Sequence, residues 1–277
     1  MNSHITPQST VDELVDHWLE QLRVEGRLES TTISEYERVL RKLVVPMVGG
    51  LHLHELTTDR INAVLNQLGA QSLNRQRKAK IVTGAMLDTA VEQGALSVNP
   101  VRGSLSISRP KTDFRSLTHA EVDAVRAAVR AWLGKERSGP RSSGDMADII
   151  ELMFATGARI GEVLALRWRD IDPGARVIEI NATIKTESGT GTYRKPLSRP
   201  RTVALPEFAA LLLEARRIAA PDNFLDAVFP TRNVTWQQVN NGERRWRQIR
   251  RDAGLEWVTP ELFRGSPWSA STNEQTH

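Results

Sequence analysis

Apolar residues recur at helical spacing through most of the first hundred positions of the chain. They fall three or four residues apart after Thr10, and Ser9 or Thr10 can act as the N-cap of a first helix. The same periodicity predicts about four helices in this region, over residues 10–22, from residue 30 to a stop at Pro46 and Gly49-Gly50, over 57–68 and over 73–90. This part of the chain is therefore expected to be a compact set of helices.

The pattern changes twice in the rest of the chain. Thr118 followed by Glu121 has the spacing of a capping box, and Gly157 can end an apolar helix. After residue 174, apolar and polar residues alternate as in a strand, and helical spacing returns from residue 208. The predicted elements are helices over residues 118–129, 146–155, 208–219 and 239–253, and strands over residues 177–184 and 201–206 with a polar, basic hairpin between them.

Residues 101–117 keep no sustained period and contain Gly, Ser and Pro, which is typical of a linker. We therefore predict a helical domain at residues 1–103, a basic linker at 104–116 and a second domain at 117–277. A chain of 277 residues is long enough for two such cores. The predicted fold is mainly α-helical with a small antiparallel β-sheet, in two domains.

Several classes of protein are excluded by what the sequence lacks. It contains no cysteine, which rules out disulfides, thiolate metal sites and cysteine nucleophiles. No apolar run approaches the roughly 20 residues of a membrane-spanning helix, and the first residues lack the apolar core of a secretory signal. The histidines are scattered, so no metal site is predicted. These features predict a soluble cytoplasmic protein with no membrane partner.

Positive charge is concentrated in short clusters, although the net charge is only +4. The linker is basic at Arg109, Lys111 and Arg115. Three denser clusters comprise Arg75, Arg77, Lys78 and Lys80; Arg194, Lys195, Arg199 and Arg201; and Arg244, Arg245, Arg247, Arg250 and Arg251. Such clusters fit contacts to nucleic-acid phosphates, and a solvated charged face would explain any single one equally well.

The stretch MFATGARIGEVLALRWRDID, from Met153 to Asp172, places an arginine within an apolar run. Arg159 follows the predicted Gly157 turn at a helix start, and Glu162 lies three residues further on the same helical face. A local ion pair would explain this spacing. Arginine is also the side chain that binds a phosphate through two parallel hydrogen bonds and stays charged at every relevant pH. The two residues alone leave both interpretations open.

The whole stretch, however, closely resembles the first arginine motif of the tyrosine recombinases, the phage-type integrases. The resemblance continues along the chain. Residues 9–95 resemble the helical core-binding domain of these enzymes, RKPLSRPRTVALP resembles the hairpin that supplies their catalytic lysine, and TPELFR at 259–264 resembles their second arginine motif. The resemblance implies a two-domain fold with a DNA-binding helical domain and a catalytic domain.

Site residues follow from the resemblance position by position. Arg159 matches the first catalytic arginine, and Glu162 matches the acidic residue that supports it. Lys195 matches the hairpin lysine, with Lys185 as the alternative. Arg264 matches the second arginine.

The chemistry of the family explains these residue types. A tyrosine attacks a DNA phosphodiester, which gives a 3′-phosphotyrosyl bond and a free 5′-hydroxyl. Two arginines would neutralise the charge that grows on the non-bridging oxygens, and the lysine can protonate the leaving 5′-oxygen. The resemblance therefore implies DNA integration and recombination without a metal, nucleotide or other cofactor.

DNA is the partner that the resemblance implies, as a double-stranded attachment site on which the protein can form a homo-oligomer. A nucleoid-associated location in the cytoplasm follows. The basic residues expected to contact DNA are Arg75, Arg77, Lys78, Lys80, Lys111, Arg115, Arg194, Arg201 and Arg245.

The resemblance breaks near the second arginine. The family pattern there is His-x-x-Arg-His, but Glu261 and Gly265 occupy the two histidine positions. The family's nucleophilic tyrosine lies on a later helix, whereas this sequence has only Tyr36, in a predicted apolar helical stripe, and Tyr193, in the hairpin. We interpret the chain as a truncated or frameshifted, incomplete member that does not cleave DNA alone.

Three hypotheses follow. The chain is a recombinase that takes its tyrosine from another chain, a DNA-binding remnant that does not react, or a decayed and poorly folded polypeptide. Salt-dependent binding to DNA tests the second, and thermal melting with one weak transition, from the first domain alone, would favour the third over the second.

Overall fold

The computed structural model describes residues 4–108, 116–135, 145–187, 189–220 and 222–265. The chain divides into two compact units, Met1–Lys111 and Thr112–His277. Each unit has a hydrophobic core of its own. The predicted fold class is confirmed, because both units are mainly helical and the second contains one small antiparallel sheet.

The first unit is helical throughout its described elements. Its α-helices are α1 (Val11–Glu25), α2 (Ser30–Val39), α3 (Val45–Val48), α4 (Thr58–Gln71) and α5 (Leu73–Glu92), with a π-helical segment at Leu40–Val44 and a 3₁₀ turn at Leu53–Glu55.

Polar caps fix the helix ends that the sequence predicts. The Thr10 hydroxyl accepts a hydrogen bond from the Glu13 amide at 3.2 Å, and the Glu13 carboxylate accepts one from the Thr10 amide at 2.8 Å. The Thr57 hydroxyl caps α4 in the same way. The second predicted helix runs past Pro46, because the π-helical segment leads directly into α3, and it ends at the predicted glycine Gly49, the C-cap of α3. Pro46 lies in the first turn of that short helix, where a missing N–H costs little.

The second unit combines helices with a three-stranded sheet. Its helices are α6 (His119–Leu133), α7 (Asp145–Thr156), α8 (Ile160–Leu164), α9 (Glu207–Ala219) and α10 (Val239–Asp252), its strands are β1 (Ile171–Asp172), β2 (Val177–Glu187) and β3 (Gly191–Ala204), and 3₁₀ segments span Trp168–Asp170 and Pro260–Gly265.

The sheet has the order β1-β2-β3, and both pairings are antiparallel. Much of the predicted hairpin is itself strand, because the outer part of β3 pairs with the outer half of β2. Pairing is broken once. Ile180 lies opposite Arg201 and Ala182 opposite Pro196, so residues 197–200 of β3 bulge out opposite a single residue of β2.

Aromatic residues tie the last described segment to the core of the second unit. Phe263 is buried, and its ring lies 4.6 Å from the ring of Phe154 on α7 and 5.3 Å from that of Trp246 on α10. This packing fixes the Pro260–Gly265 segment and therefore the backbone of Arg264. Among the described residues, no helix is both long and apolar enough to cross a membrane.

Candidate active site

A glycine turn places Arg159 at the start of α8. Gly157 has a positive φ of 63°, and its amide donates to the Met153 carbonyl at 3.0 Å, which ends α7. Arg159 then has extended backbone angles and acts as the N-cap of α8. Apolar residues of α8, including Val163 and Leu164, are buried in the core of the second unit. The backbone that carries Arg159 is therefore held by packing.

The Glu162 carboxylate lies between two arginines. Its side chain is only 2% exposed. It accepts hydrogen bonds from the Arg159 amide at 3.0 Å, from Arg159 Nη1 at 3.1 Å and from Arg201 Nη2 at 2.7 Å. The pair predicted from the motif is therefore formed, and Arg201 of β3 joins it.

These contacts keep Glu162 ionised despite its burial. Burial alone would raise the pKa of this carboxyl, but the hydrogen bond from Arg201 and those from Arg159 outweigh it, and the pKa is lowered overall. The Arg159 side chain, in contrast, is 65% exposed. One nitrogen of its guanidinium is held by the buried Glu162 carboxylate, and the other nitrogens face solvent. A phosphate-binding arginine requires such an arrangement.

Gly161 brings α8 close to the hairpin. A Cβ atom at this position would lie 2.7 Å from Thr183 Oγ1 on β2 and 3.2 Å from Val239 Cγ2 on α10. Thr183 is the cross-strand partner of Lys195. Directly opposite residues of an antiparallel pair share a face of the sheet, so the backbone of Lys195 lies next to the strand position that α8 contacts.

Lys185, the alternative lysine, lies two residues nearer the tip of the hairpin than the Thr183–Lys195 pair. Lys185 pairs with Tyr193, whereas Lys195 pairs with Thr183. Because side chains two residues apart on a strand point to the same face, Lys185 and Lys195 share one face of the hairpin. The contact between Gly161 and Thr183 favours Lys195 as the lysine nearer to Arg159.

Arg264 and Glu261 are both exposed on the Pro260–Gly265 segment. The buried neighbour Phe263 packs against Phe154 of α7, the helix that leads into the Arg159 turn. Within the described residues, no group of three or more His, Asp or Glu side chains could hold a metal ion.

The predicted DNA-contacting residues of the first unit lie on α5. Lys78 forms an ion pair with Glu35 at 2.7 Å, and Lys80 donates to the Leu105 carbonyl at 2.6 Å. Arg75 is exposed and donates to Gln71, and Arg77 is half-buried. The two lysines are therefore engaged within the unit, whereas the Arg75 head faces solvent.

Of the other residues predicted to contact DNA, some lie in the second unit and some lie outside the described residues. Arg245 is half-buried on α10. Lys111 and Arg115, with Arg109, lie outside the described residues.

Arg194, which we predicted to contact DNA, binds acceptors within the second unit. Its side chain is 14% exposed. The guanidinium donates to the Ala165 carbonyl at 2.8 Å and to Asp170 at 3.0 Å, and it also binds Asn181. Burial lowers the pKa of Arg194 by disfavouring the charged form. A guanidinium that is buried among these acceptors has few donors left for DNA.

A family model described as "Phage integrase family" matches residues 115–273, so the match continues past the Glu261–Gly265 stretch where we expected the resemblance to end. The chain is 26% identical over 262 residues to tyrosine recombinase XerC of Alcanivorax borkumensis, covering 92% of this chain and 77% of that protein. It is 24% identical over 210 residues to the integrase of Mycobacterium phage D29, covering 74% of this chain and 51% of that protein.

Solved structures have the same fold. The Tn1549 transposon integrase in complex with circular intermediate DNA superposes with a TM-score of 0.75 at 17% identity, over 97% of this chain and 88% of that chain. A lambda integrase tetramer bound to a Holliday junction superposes with a TM-score of 0.68 at 18% identity, over 97% and 74%.

Proposed function

The chain belongs to the phage integrase family, and we propose that it binds double-stranded DNA and holds a phosphodiester at the Arg159 site. The observation that carries the proposal is the Arg159–Glu162 pair. An exposed guanidinium on a buried, ionised carboxylate is a fixed anion-binding group, and it lies within the segment that the family model matches.

Each site residue has a distinct role in this proposal. Arg159 and Arg264 bind the non-bridging phosphate oxygens, and they would offset the charge that develops if a tyrosine hydroxyl of another chain attacked phosphorus. In that reaction Lys195 would donate a proton to the 5′-oxygen as its bond to phosphorus breaks. Glu162 positions Arg159 and does not contact the DNA.

Domain roles follow the same resemblance. We assign DNA binding to the helical residues 1–103 and phosphodiester binding to residues 117–277, with residues 104–116 as the linker. The relatives whose structures contain DNA support DNA as the partner. The lambda integrase tetramer supports a homo-oligomer on DNA as the assembly.

Neither of the two tyrosines is placed as a nucleophile for DNA cleavage. Tyr36 stacks on Trp18 with ring centroids 5.7 Å apart, against the core of the first unit. The Tyr193 hydroxyl donates to Glu187 at 2.7 Å near the tip of the hairpin. These placements support the proposal that the chain does not form a phosphotyrosyl bond by itself.

Binding to duplex DNA at several salt concentrations tests the first part of the proposal. Five phosphate contacts would give a slope of log K against log salt of about −4 to −5. Arg159→Gln should reduce that slope by about 1. Arg217→Gln is the matched control, because Arg217 is exposed on α9 and stacks over the Trp168 ring outside the proposed site. Binding that is absent at low salt, or indifferent to salt, would refute the proposal.

Incubation with a pool of nicked duplexes tests the second part. Nicked substrates trap covalent intermediates, so a phosphotyrosyl protein–DNA adduct would survive SDS. We expect no adduct. An adduct that Tyr193→Phe abolishes would identify the hairpin tyrosine as a nucleophile and overturn the assignment.

A further inference from the structure

Glu162 is held by two elements that are far apart in sequence. Arg159 belongs to the turn before α8, and Arg201 belongs to β3. Both Glu162 oxygens are occupied, since Arg159 Nη1 donates to Oε1 while the Arg159 amide and Arg201 Nη2 donate to Oε2. Arg201 therefore contacts the same carboxylate as the proposed phosphate-binding arginine.

The bulge in β3 sets the direction of Arg201. Pairing with β2 resumes at Arg201, directly after residues 197–200, and its cross-strand partner Ile180 is buried. Opposite residues share a face of the sheet, so Arg201 points to the side where Glu162 is buried. Its side chain is 39% exposed, compared with 65% for Arg159.

The cluster of Glu162, Arg159 and Arg201 contains more positive than negative charge. Glu162 carries one negative charge, and the two guanidinium groups carry two positive charges. A simple Arg159–Glu162 pair would be neutral and would attract a phosphate only weakly. With Arg201 added, the cluster has a net positive charge, and its more exposed member is Arg159.

The other carboxylates on the elements around α8 bind other partners or are exposed. The carboxylates of α7 bind Arg216 and Arg126, Glu187 of β2 accepts from Tyr193, and Glu179 of β2 and Glu243 of α10 are exposed. The lowering contributions to the pKa of Glu162 come from Arg201 and Arg159.

We propose that Arg201 is a positioning residue for Arg159: it takes up the charge of Glu162, so that the carboxylate holds Arg159 without neutralising it. This inference rests on the proposed phosphate binding by Arg159. It also gives Arg201 a different role from the direct DNA contact expected from the basic cluster.

Arg201→Gln should make DNA binding depend on pH. At pH 7 the Glu162 carboxylate of this variant would pair with Arg159 alone, and affinity for duplex DNA should fall, with the salt slope reduced by about 1. Loss of Arg201 removes a hydrogen bond that lowers the pKa of Glu162, so the carboxyl should be protonated at a higher pH than in wild type, and its protonation releases the charge of Arg159. The affinity lost at pH 7, relative to wild type, should then be partly recovered at pH 5.

Three variants separate this effect from a lost positive charge or a disturbed fold. Arg199→Gln removes an exposed arginine of the bulge and should show no extra recovery at low pH. Arg201→Lys keeps one donor and should behave more like wild type. Arg159→Gln combined with Arg201→Gln should lose the recovery, because no released charge remains.

Direct titration of the carboxyl completes the test. In ¹³C-glutamate-labelled protein, the Glu162 carboxyl, assigned through Glu162→Gln, should titrate at higher pH in Arg201→Gln than in wild type or Arg199→Gln. Equal titrations and equal pH profiles in the two variants would refute the inference and leave the proposed function intact. If wild-type protein failed to bind DNA, the proposed function would fail, whereas the titration would still report on Arg201.

Discussion

Arg194 holds the hairpin to the second unit. Its guanidinium reaches the Ala165 carbonyl at the end of α8 and the buried Asp170 carboxylate, and the residue that follows it is Lys195. Successive side chains of a strand point to opposite faces, so an arginine directed into the core leaves the neighbouring lysine on the other face. A residue that does not contact substrate thus fixes the strand that carries a proposed proton donor.

Arg194→Met should destabilise the second unit by about 1–3 kcal/mol, because it leaves the buried Asp170 with fewer donors. The loss is below that of a fully unpaired buried charge, since Arg167 and Asn181 still bind Asp170. Urea denaturation measures it. Arg199→Met, at an exposed position, should change the free energy of unfolding by less than about 0.5 kcal/mol. Equal losses in the two variants would contradict the structural role of Arg194.

Glu35 should contribute to acid sensitivity of the first unit. Hydrogen bonds from Arg38 and Lys78 lower its pKa from 4.5 to about 2. A carboxyl with a depressed pKa stabilises the fold above its unfolded pKa, and the contribution is lost as pH falls from about 4.5 through 2. The side chain is 38% exposed, so solvent screens the effect and the contribution should stay below about 1 kcal/mol.

The melting temperature of the first unit between pH 5 and pH 2 measures this contribution. Glu35→Gln should flatten its decline with falling pH. Glu20→Gln, at a more exposed carboxylate of α1, should leave the decline as in wild type. If the melting temperatures of both variants declined equally with falling pH, Glu35 would not contribute to the acid sensitivity.

At the level of elements, the contact between α8 and β2 organises the site. Gly161→Ala would place a methyl group 2.7 Å from Thr183 Oγ1 and 3.2 Å from Val239 Cγ2, so these side chains, α8 or the hairpin must shift. Overpacking of this kind costs about 1–3 kcal/mol. Gly134→Ala is the control, because its Cβ would lie 3.5 Å from the nearest atom. Urea denaturation should show a loss of stability for the first variant only, and a neutral Gly161→Ala would contradict the close approach.

Local sequence patterns predicted most helices because their signals lie within one or two turns. The Thr10 and Thr118 capping boxes and the Gly157 stop are of this kind. The contact between Glu162 and Arg201 could not be predicted in this way. The two residues are 39 positions apart in sequence. The face of the sheet to which the Arg201 side chain points depends on where the bulge shifts the strand register.

Candidate residues show the same limit. The motif around Arg159 predicted its pairing with Glu162, since an i, i+3 spacing is local. Clusters of basic residues in sequence did not separate the largely buried Arg194 from the exposed Arg199, because Arg194 lies opposite the buried Ile184 while Arg199 lies in the bulge, and both placements depend on the strand register. The choice between Lys195 and Lys185 required the cross-strand register.

On the scale of the whole molecule, two separate cores argue against a poorly folded chain. Residues of α1 and α5 are buried in one core, and residues of α7 and β2 are buried in the other. We expect slow amide exchange, measured by mass spectrometry, in peptides from both cores. If peptides of the second unit exchanged as fast as an unfolded chain while those of the first were protected, the decayed-chain hypothesis would be favoured.

The bulge at residues 197–200 divides the pairing of β2 with β3 into two ladders. The inner ladder includes Arg201, which binds Glu162, and the outer ladder begins beside the bulge with Pro196 and Lys195. Because four residues already loop out opposite one, extra residues can enter there without shifting either register. The bulge is therefore a natural insertion point for protein engineering: a short peptide can be added there while the arginine–carboxylate cluster and the pairing of Lys195 stay in place.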